Sequence, residues 1–425
     1  MAGDIIFVQS YLLAPFGSSS RELHPENREQ LFSRIKIAVS SVFLFACTGV
    51  VIMEAGGTTE RAISQAVTKN DPILITLIES LSNCAYPFRA ILILSIFMSK
   101  RTAWRKLHDM AHKNVLQLDP DTKAVRYLRR LSVILFAGTV GVHSVAITLS
   151  WMYQQDLNDI AQSRGEVPGH EASGRCYVYF GYCLHSSVLI LLWTLLADLP
   201  FLLSQQILLG GVIFIVKLVR IMKDLNREIK NEIDQLGERR CGVRSERVLW
   251  NARIRRWTTT YVACQRFVRQ FNAFYQWILL ISVGLDILAA LGLGANLVAP
   301  AEGPQDKTTV VYVTANCAFL AYATVLFIPF VQLYEEQAIL TKHTPVTVSA
   351  ETLCELSAIV QQNPLAIEAG GLFSFSRGYL VTVVSSVATL LIFIQEILDR
   401  SVDGSACKTL LTNSIVNHSV TLGAN

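Results

Sequence analysis

The chain has 425 residues, of which 52% are hydrophobic and only 16% are charged, and its formal net charge is +4. Soluble domains carry about 25% charged residues, so this composition excludes an ordinary water-soluble protein. Several apolar runs are long enough to cross a bilayer as helices. They indicate one polytopic membrane domain rather than several soluble domains.

The sequence lacks the motifs of common enzymes and cofactor-binding proteins, including the P-loop, the dinucleotide-binding glycine motif and HExxH. We therefore expect neither catalytic activity nor a cofactor. His108 and His112 have a spacing compatible with metal binding on a helix, but no third ligand is nearby. A surface pair is favoured, and no metal site is predicted. The basic segments lack the interleaved aromatic residues of nucleic-acid-binding proteins, so no nucleic-acid partner is expected.

In chain order, the first 34 residues mix charged residues with short apolar runs and contain no signal peptide. We therefore expect the first span to act as its own insertion signal. No pattern typical of β-strands is present, so the predicted fold is all-α. Seven apolar runs are candidate membrane spans, covering residues 35–53, 72–98, 131–153, 177–219, 276–299, 309–334 and 379–398.

The fourth run is ambiguous, because its length fits either two spans or one long helix. Positive charge decides between them, since Lys and Arg concentrate in cytoplasmic connections. Residues 99–130 hold nine Lys and Arg residues and residues 220–270 hold thirteen, whereas the other connections hold one or two each. A single fourth helix places both basic segments on the same side. We predict seven transmembrane helices with segment 1–34 cytoplasmic and the C-terminus extracellular, opposite to G-protein-coupled receptors.

The topology places residues 401–425 outside as an extracellular tail. Asn417 begins an Asn-His-Ser sequon in this tail and is a candidate glycosylation site. The nine Cys residues include no CxxC pair, which argues against a disulfide framework or a zinc site. Cys176 and Cys407 fall on the same predicted outer face, so a disulfide between them stays open.

Residues 220–275 show a helical pattern, with Ile221, Leu225, Ile229 and Ile233 at every fourth position. This segment runs directly into the fifth span, so we predict that the fourth, fifth and sixth helices extend into the cytoplasm and pack there as a bundle. An amphipathic helix on the surface explains the spacing equally well. Residues 276–362 then hold the fifth and sixth spans with their cytoplasmic extension.

The stretch 363–400 combines a re-entrant lead-in, interrupted at Gly370 and Gly371, with a span that holds 20 residues without Lys or Arg from Tyr379 onward. Polar residues in a membrane span are costly and usually face protein or water. A stripe at helical spacing consists of Ser385, Ala388, Ile392, Gln395 and Asp399.

Residues 369–396, AGGLFSFSRGYLVTVVSSVATLLIFIQE, resemble the C-terminal signature of insect gustatory receptors. The first half of that signature is matched by Gly371, Leu372, Phe373 and Arg377. Thr389 and Gln395 match its Thr and Gln positions with one intervening residue fewer, and Glu396 stands where Phe is usual. Two further segments, 216–229 and 261–280, resemble the motifs that follow the fourth span and lead into the fifth.

The resemblance implies a ligand-gated cation channel related to insect odorant receptors. It implies a homotetramer, or a heteromer with related receptors, whose seventh helix lines a central pore. The cytoplasmic extensions of helices four to seven would form the anchor bundle that holds the subunits together. A small-molecule tastant would bind in the bundle of residues 35–219 in the plasma membrane of a sensory neuron, surrounded by membrane lipid. A solute transporter and a non-conducting scaffold remain as alternatives.

With this implication, the last helix supplies the candidate pore and gate residues Ser385, Ala388, Ile392, Gln395, Glu396 and Asp399. Ile392 and Gln395 would form the narrow part, and Glu396 and Asp399 an acidic ring that concentrates cations. The alternative is that Ser385 and Gln395 only hydrogen-bond to neighbouring helices.

Aromatic and polar residues at the outer ends of the spans are candidates for the ligand pocket. They are Glu79, Asn83, His143, Trp151, Tyr179, Tyr182, His185, Asp286, Tyr312 and Asn316. For Trp151 the alternative is an aromatic-belt anchor. Asp286 needs a partner or water within the membrane. Its candidate partners are His143, His185 and Tyr312, and the alternative is a protonated carboxyl group that hydrogen-bonds between helices.

Overall fold

The computed structural model describes residues 27–69, 73–111, 122–163, 177–179, 182–184, 187–238, 244–298, 307–343, 351–393 and 395–396. Nearly all of these residues are helical, as the sequence predicts. The helices are α1 (Asn27–Lys69), α2 (Ile73–Ser99), α3 (Arg101–Met110), α4 (Thr122–Ser163), α5 (Ser187–Glu238), α6 (Arg244–Val298), α7 (Lys307–His343), α8 (Glu351–Gln362) and α9 (Arg377–Phe393).

The seven predicted spans fall on α1, α2, α4, α5, α6, α7 and α9. Four segments in the described ranges are long and apolar enough to cross a membrane, namely Ile37–Gly57, Arg126–Val145, Asp198–Gln235 and Trp250–Gly294. Shorter apolar helical segments cover Cys84–Ser99 and Arg377–Phe393. These lengths agree with a membrane protein.

Two short antiparallel hairpins depart from the all-α prediction. β1 (Tyr177–Tyr179) pairs with β2 (Tyr182–Leu184), and β3 (Glu368–Ala369) pairs with β4 (Phe373–Ser374). The predicted fourth span is therefore wrong at its start, because residues 177–184 contain a hairpin and the helix begins only at Ser187. The reason is local: Tyr and Val favour strands, and two residues separate the two short runs.

From Ser187 onward, the ambiguous fourth run lies in one continuous helix. α5 has 52 residues, with Pro200 inside it, and α6 has 55 residues. At 1.5 Å per residue, each helix is roughly 80 Å long, whereas a bilayer core is about 30 Å thick. Both helices therefore extend well beyond any single membrane crossing.

The main hydrophobic core of the described residues draws on helices α2 to α8, and within it α3 packs against α5 and α6. Trp104 of α3 is buried, and its ring centroid lies 5.3 Å from that of Phe274 in α6. Tyr275 of α6 donates a 2.7 Å hydrogen bond to the Ile207 carbonyl of α5. A Cβ at Gly211 would lie 2.9 Å from the Tyr275 ring, so the glycine permits this close approach of α5 and α6.

The apolar stripe predicted within residues 220–275 faces this core. Its members are Ile221, Leu225, Ile229 and Ile233, of which the first three are buried and the last is partly buried. Between them, Asn226 donates hydrogen bonds from Nδ2 to the carbonyl oxygen and to Oε2 of Glu336 in α7, at 2.9 and 2.8 Å. The stripe thus packs within a helical bundle rather than on an isolated surface helix.

Candidate functional site

The break before the last helix is a glycine turn. Gly370 and Gly371 have φ angles of +61° and +71°, a conformation that glycine adopts without strain, and they connect β3 to β4. The Gly370 amide donates a 2.9 Å hydrogen bond to the carbonyl of Gln276 in α6. A Cβ at Gly370 would lie 2.6 Å from Leu280 Cδ2. The predicted interruption is therefore confirmed, and it is seated directly on α6.

Asn272 of α6 holds the same segment through both ends of its amide. Its Nδ2 donates a 2.8 Å hydrogen bond to the Ala366 carbonyl, and its Oδ1 accepts a 3.2 Å bond from the Glu368 amide. Asn272 thereby replaces two missing backbone partners of the lead-in segment. This explains structurally why the run 261–280 carries an Asn at this place.

A second set of hydrogen bonds holds the start of the lead-in segment. The Tyr261 hydroxyl lies 2.8 Å from the Asn363 carbonyl oxygen and 2.9 Å from Gln337 Oε1. Arg269 donates from Nη2 to Asn363 Oδ1 at 2.9 Å. Tyr261, Arg269 and Asn272 all belong to α6, so this helix positions the chain that enters α9. The motif resemblance pointed to the run 261–280, but not to these contacts.

The family-motif residues divide into contacting and exposed ones. The Phe373 ring stacks on Tyr379 at 4.1 Å, and Arg377 forms an ion pair with Glu335 of α7. Phe375, which the sequence analysis did not single out, is buried and stacks on Phe327 of α7 at 5.3 Å. Leu372 is 76% exposed. The aromatic contacts and the ion pair fix the base of α9 against α7.

α9 has one partly buried face, which packs against the rest of the subunit, and a broad exposed surface. The partly buried stripe consists of Leu380, Val383, Val387 and Leu391. The predicted pore residues Ser385, Ala388, Ile392, Gln395 and Glu396 are all exposed within the single chain, with Ile392 at 67%. Thr389 is also exposed, and its hydroxyl donates to the Ser385 carbonyl in its own helix at 2.8 Å. Asp399 lies outside the described residues.

Asp286 has a partner that the sequence analysis did not propose. Arg89 of α2 donates from Nη1 to Asp286 Oδ1 at 2.8 Å, with the two side chains 1% and 13% exposed. Of the three candidate partners, His143 has a described side chain, and its ring stacks on Phe201 at 5.1 Å. A guanidinium group supplies the compensating charge that a carboxylate needs in an apolar environment.

The remaining candidate residues of the ligand pocket are spread over several elements. Glu79 and Asn83 lie on α2, Trp151 on α4, and Tyr312 and Asn316 on α7, but their side chains are outside the described part of the structure. Tyr179 and Tyr182 are Cα partners in the β1–β2 hairpin rather than on a helix. His185, Asn417, Cys176 and Cys407 lie outside the described residues.

The ligand-pocket candidates with described side chains are thus not brought into one contact group. His143 belongs to an aromatic group in which Tyr86 also meets Phe201 edge-on at 5.8 Å. Asp286 belongs to the ion pair with Arg89. Within the described ranges, no group of three His, Cys, Asp or Glu residues could hold a metal ion.

Comparison with known proteins gives the family. Residues 10–395 match the model of the 7tm chemosensory receptor family. No curated protein matches the chain. The fold is similar to that of the insect olfactory receptor OR5 from Machilis hrabei, with a TM-score of 0.62 at 12% identity, covering 93% of this chain and 100% of the other.

The same olfactory receptor in complex with eugenol gives a TM-score of 0.64 at 11% identity, covering 92% of this chain and 97% of the other. At these identities the likeness shows a shared fold. The family match covers most of the chain and agrees with the motifs around α9. The protein therefore belongs to the 7tm chemosensory receptor family, related to insect gustatory and odorant receptors.

Proposed function

We propose that this receptor is a gustatory, ligand-gated, non-selective cation channel in which α9 lines a central pore of a tetramer. The observation that supports this most directly is the exposed surface of α9. Ser385 and Gln395 lie on the same exposed face as Ile392. Polar side chains toward lipid are costly, so protein or water covers this face in the membrane. In a tetramer, the neighbouring subunits and a water-filled central pore would together cover this face.

The chemistry of the face suits cation passage. A ring of Ile392 side chains forms an apolar constriction, which closes by excluding water. Gln395 follows one turn later, and Glu396 adds a carboxylate that raises the local concentration of cations. Asp399 extends this acidic ring in the proposal. The Arg377–Glu335 ion pair anchors the opposite end of α9 to α7.

The proposed ligand is a small-molecule tastant bound between α2, α4, α5 and α6. The stacked pair of His143 and Phe201 offers an aromatic wall, and the Arg89–Asp286 pair offers a polar one. The other candidate residues at the outer ends of the spans are proposed to contact the same ligand through aromatic and polar side chains. The related olfactory receptor has been solved in complex with eugenol, a precedent for a small organic ligand in this fold.

The proposed setting is the plasma membrane of a sensory neuron, with the N-terminus cytoplasmic and the tail extracellular. Residues 220–275 would then form the cytoplasmic anchor between subunits, either in a homotetramer or with related receptors. The buried stripe around Leu225 and the Asn226–Glu336 hydrogen bonds give this region the packing that such an anchor needs.

Expression in oocytes with a panel of sugars and bitter compounds tests the proposal. We expect a ligand-evoked cation current that scales with surface abundance, which biotinylation measures in the same cells. Surface protein without any evoked current contradicts a channel. Substrate uptake without current would then indicate a transporter, and neither signal would indicate a scaffold.

A further inference from the structure

The C-terminal segment meets α6 closely at two glycines, Gly370 in the turn that precedes α9 and Gly294 in α6 itself. At the base of α9, Gly370 seats against Leu280 of α6. Near the other end, Leu391 of α9 seats against Gly294 of α6. A Cβ at Gly294 would overlap the Leu391 side chain, with Cδ1 and Cγ only 2.8 and 3.0 Å away. Gly294 is buried, and any larger residue there requires Leu391 to move.

The two contacts act at opposite ends of the proposed pore helix. Leu280 and Gly294 are separated by roughly 20 Å along α6, at 1.5 Å per residue. The base is also fixed by the hydrogen bond from the Gly370 amide to Gln276 and by the contacts of Phe373 and Arg377. At the far end of α9, where the proposed gate lies, the Gly294–Leu391 contact joins α9 to α6.

Leu391 is coupled directly to the gate residues by the geometry of the helix. It precedes Ile392 in sequence and lies one turn before Gln395, so a shift of Leu391 moves the backbone that carries both. Leu391 belongs to the stripe that faces the chain, whereas Ile392 and Gln395 are exposed. Pushing Leu391 away from α6 therefore moves the gate residues outward from the subunit, toward the proposed pore axis.

We infer that Gly294 is a positioning residue for the gate. By allowing Leu391 to rest directly on the backbone of α6, it holds the outer half of α9 back from the pore axis. The inference rests on the proposed channel function and adds to it the side chain contact that sets the width of the gate.

Gly294→Ala tests the inference. The added methyl group overpacks the contact, so we expect the maximal ligand-evoked current per surface channel to fall about tenfold. The reversal potential should stay unchanged, because the residues that face the ions are the same. Leu391→Ala removes the opposing side chain, and the double variant Gly294→Ala/Leu391→Ala should recover the current to within about twofold of Leu391→Ala alone.

Gly284→Ala is the matched control. It makes the same chemical change in the same helix, and a Cβ there meets nothing within 4 Å. Both variants gain the same helix propensity, but Gly284 is exposed and only the buried Gly294 contacts Leu391. We expect Gly284→Ala to conduct like the unmodified receptor.

The outcomes separate the inference from the proposed function. A conducting receptor whose current is unaffected by Gly294→Ala overturns the inference alone, as does a double variant that shows no recovery. A silent but surface-expressed unmodified receptor overturns the channel and the inference together. If Gly294→Ala fails to reach the surface, Leu391→Ala decides: a raised resting current supports the inference, and unchanged resting and evoked currents overturn it.

Discussion

At the scale of single residues, the Arg89–Asp286 ion pair is a buried contact between two charged side chains of α2 and α6. Asp286→Ala leaves the Arg89 guanidinium buried without its counter-charge, and breaking such a pair costs about 3–5 kcal/mol. We expect a lower thermal transition in detergent, measured by fluorescence-detected size exclusion, and less protein at the cell surface.

The matched variant replaces both partners. Arg89→Met/Asp286→Leu removes both charges with side chains of similar size, and such replacements are often neutral or stabilising. We therefore expect the double variant to regain most of the stability lost by Asp286→Ala. Equal destabilisation in the two variants would show that shape, not charge, makes this contact important.

The sequence predicted that Asp286 requires a partner but not which one. Arg89 was visible in the second span, yet it lies 197 residues from Asp286 along the chain. Periodicity describes one helix at a time and carries no information on which faces of two helices meet. The glycine break at residues 370 and 371 could be predicted because it depends on local backbone freedom alone.

At the scale of elements, α6 supports both the lead-in segment and the far end of α9. Tyr261, Arg269 and Asn272 bind the lead-in residues 363–368, and Gly294 receives Leu391 of α9. The motif resemblance drew attention to the run 261–280. Its role follows only from the fold, because the Asn272 side chain bonds to backbone groups 94 and 96 residues away.

Asn272→Ala should loosen the lead-in segment. The change removes one donor and one acceptor and leaves the Ala366 carbonyl and the Glu368 amide without these partners, at about 0.5–1.5 kcal/mol for each hydrogen bond lost. We expect faster hydrogen exchange at the amides of residues 366–370, measured by mass spectrometry.

Arg269→Ala provides the comparison for this variant. Arg269 is exposed and makes one hydrogen bond to the Asn363 side chain, so its loss should change exchange in the segment little. If the two variants exchange alike, the Asn272 hydrogen bonds do not hold the segment.

The same scale shows why one predicted element was wrong. Hydropathy treats residues 177–184 as the start of a span, because Tyr, Val, Cys and Leu are apolar. A short apolar run fits a strand as well as a helix, and only length and composition separate them. Three Tyr residues and Val178, on either side of a two-residue connection, were the available signal for the β1–β2 hairpin.

At the scale of the whole molecule, each predicted span falls at least partly on a described helix, because hydropathy summed over about 20 residues averages out local errors. The surface of α9 could not be understood from one chain. Its stripe of Ser385, Ala388, Ile392 and Gln395 is exposed here, and what covers it depends on how subunits assemble.

Variants on this stripe test the assembled pore. Gln395→Ala removes the amide next to the proposed constriction, and we expect altered rectification or cation selectivity in oocyte currents.

Ser385 and Ser386 are matched neighbours, both exposed, but helix geometry places them about 100° apart. Ser385→Ala should change unitary conductance, whereas Ser386→Ala, off the stripe, should not. If conductance responds only to Ser386→Ala, a different face of α9 lines the pore. If it responds to none of these variants, α9 does not line the pore.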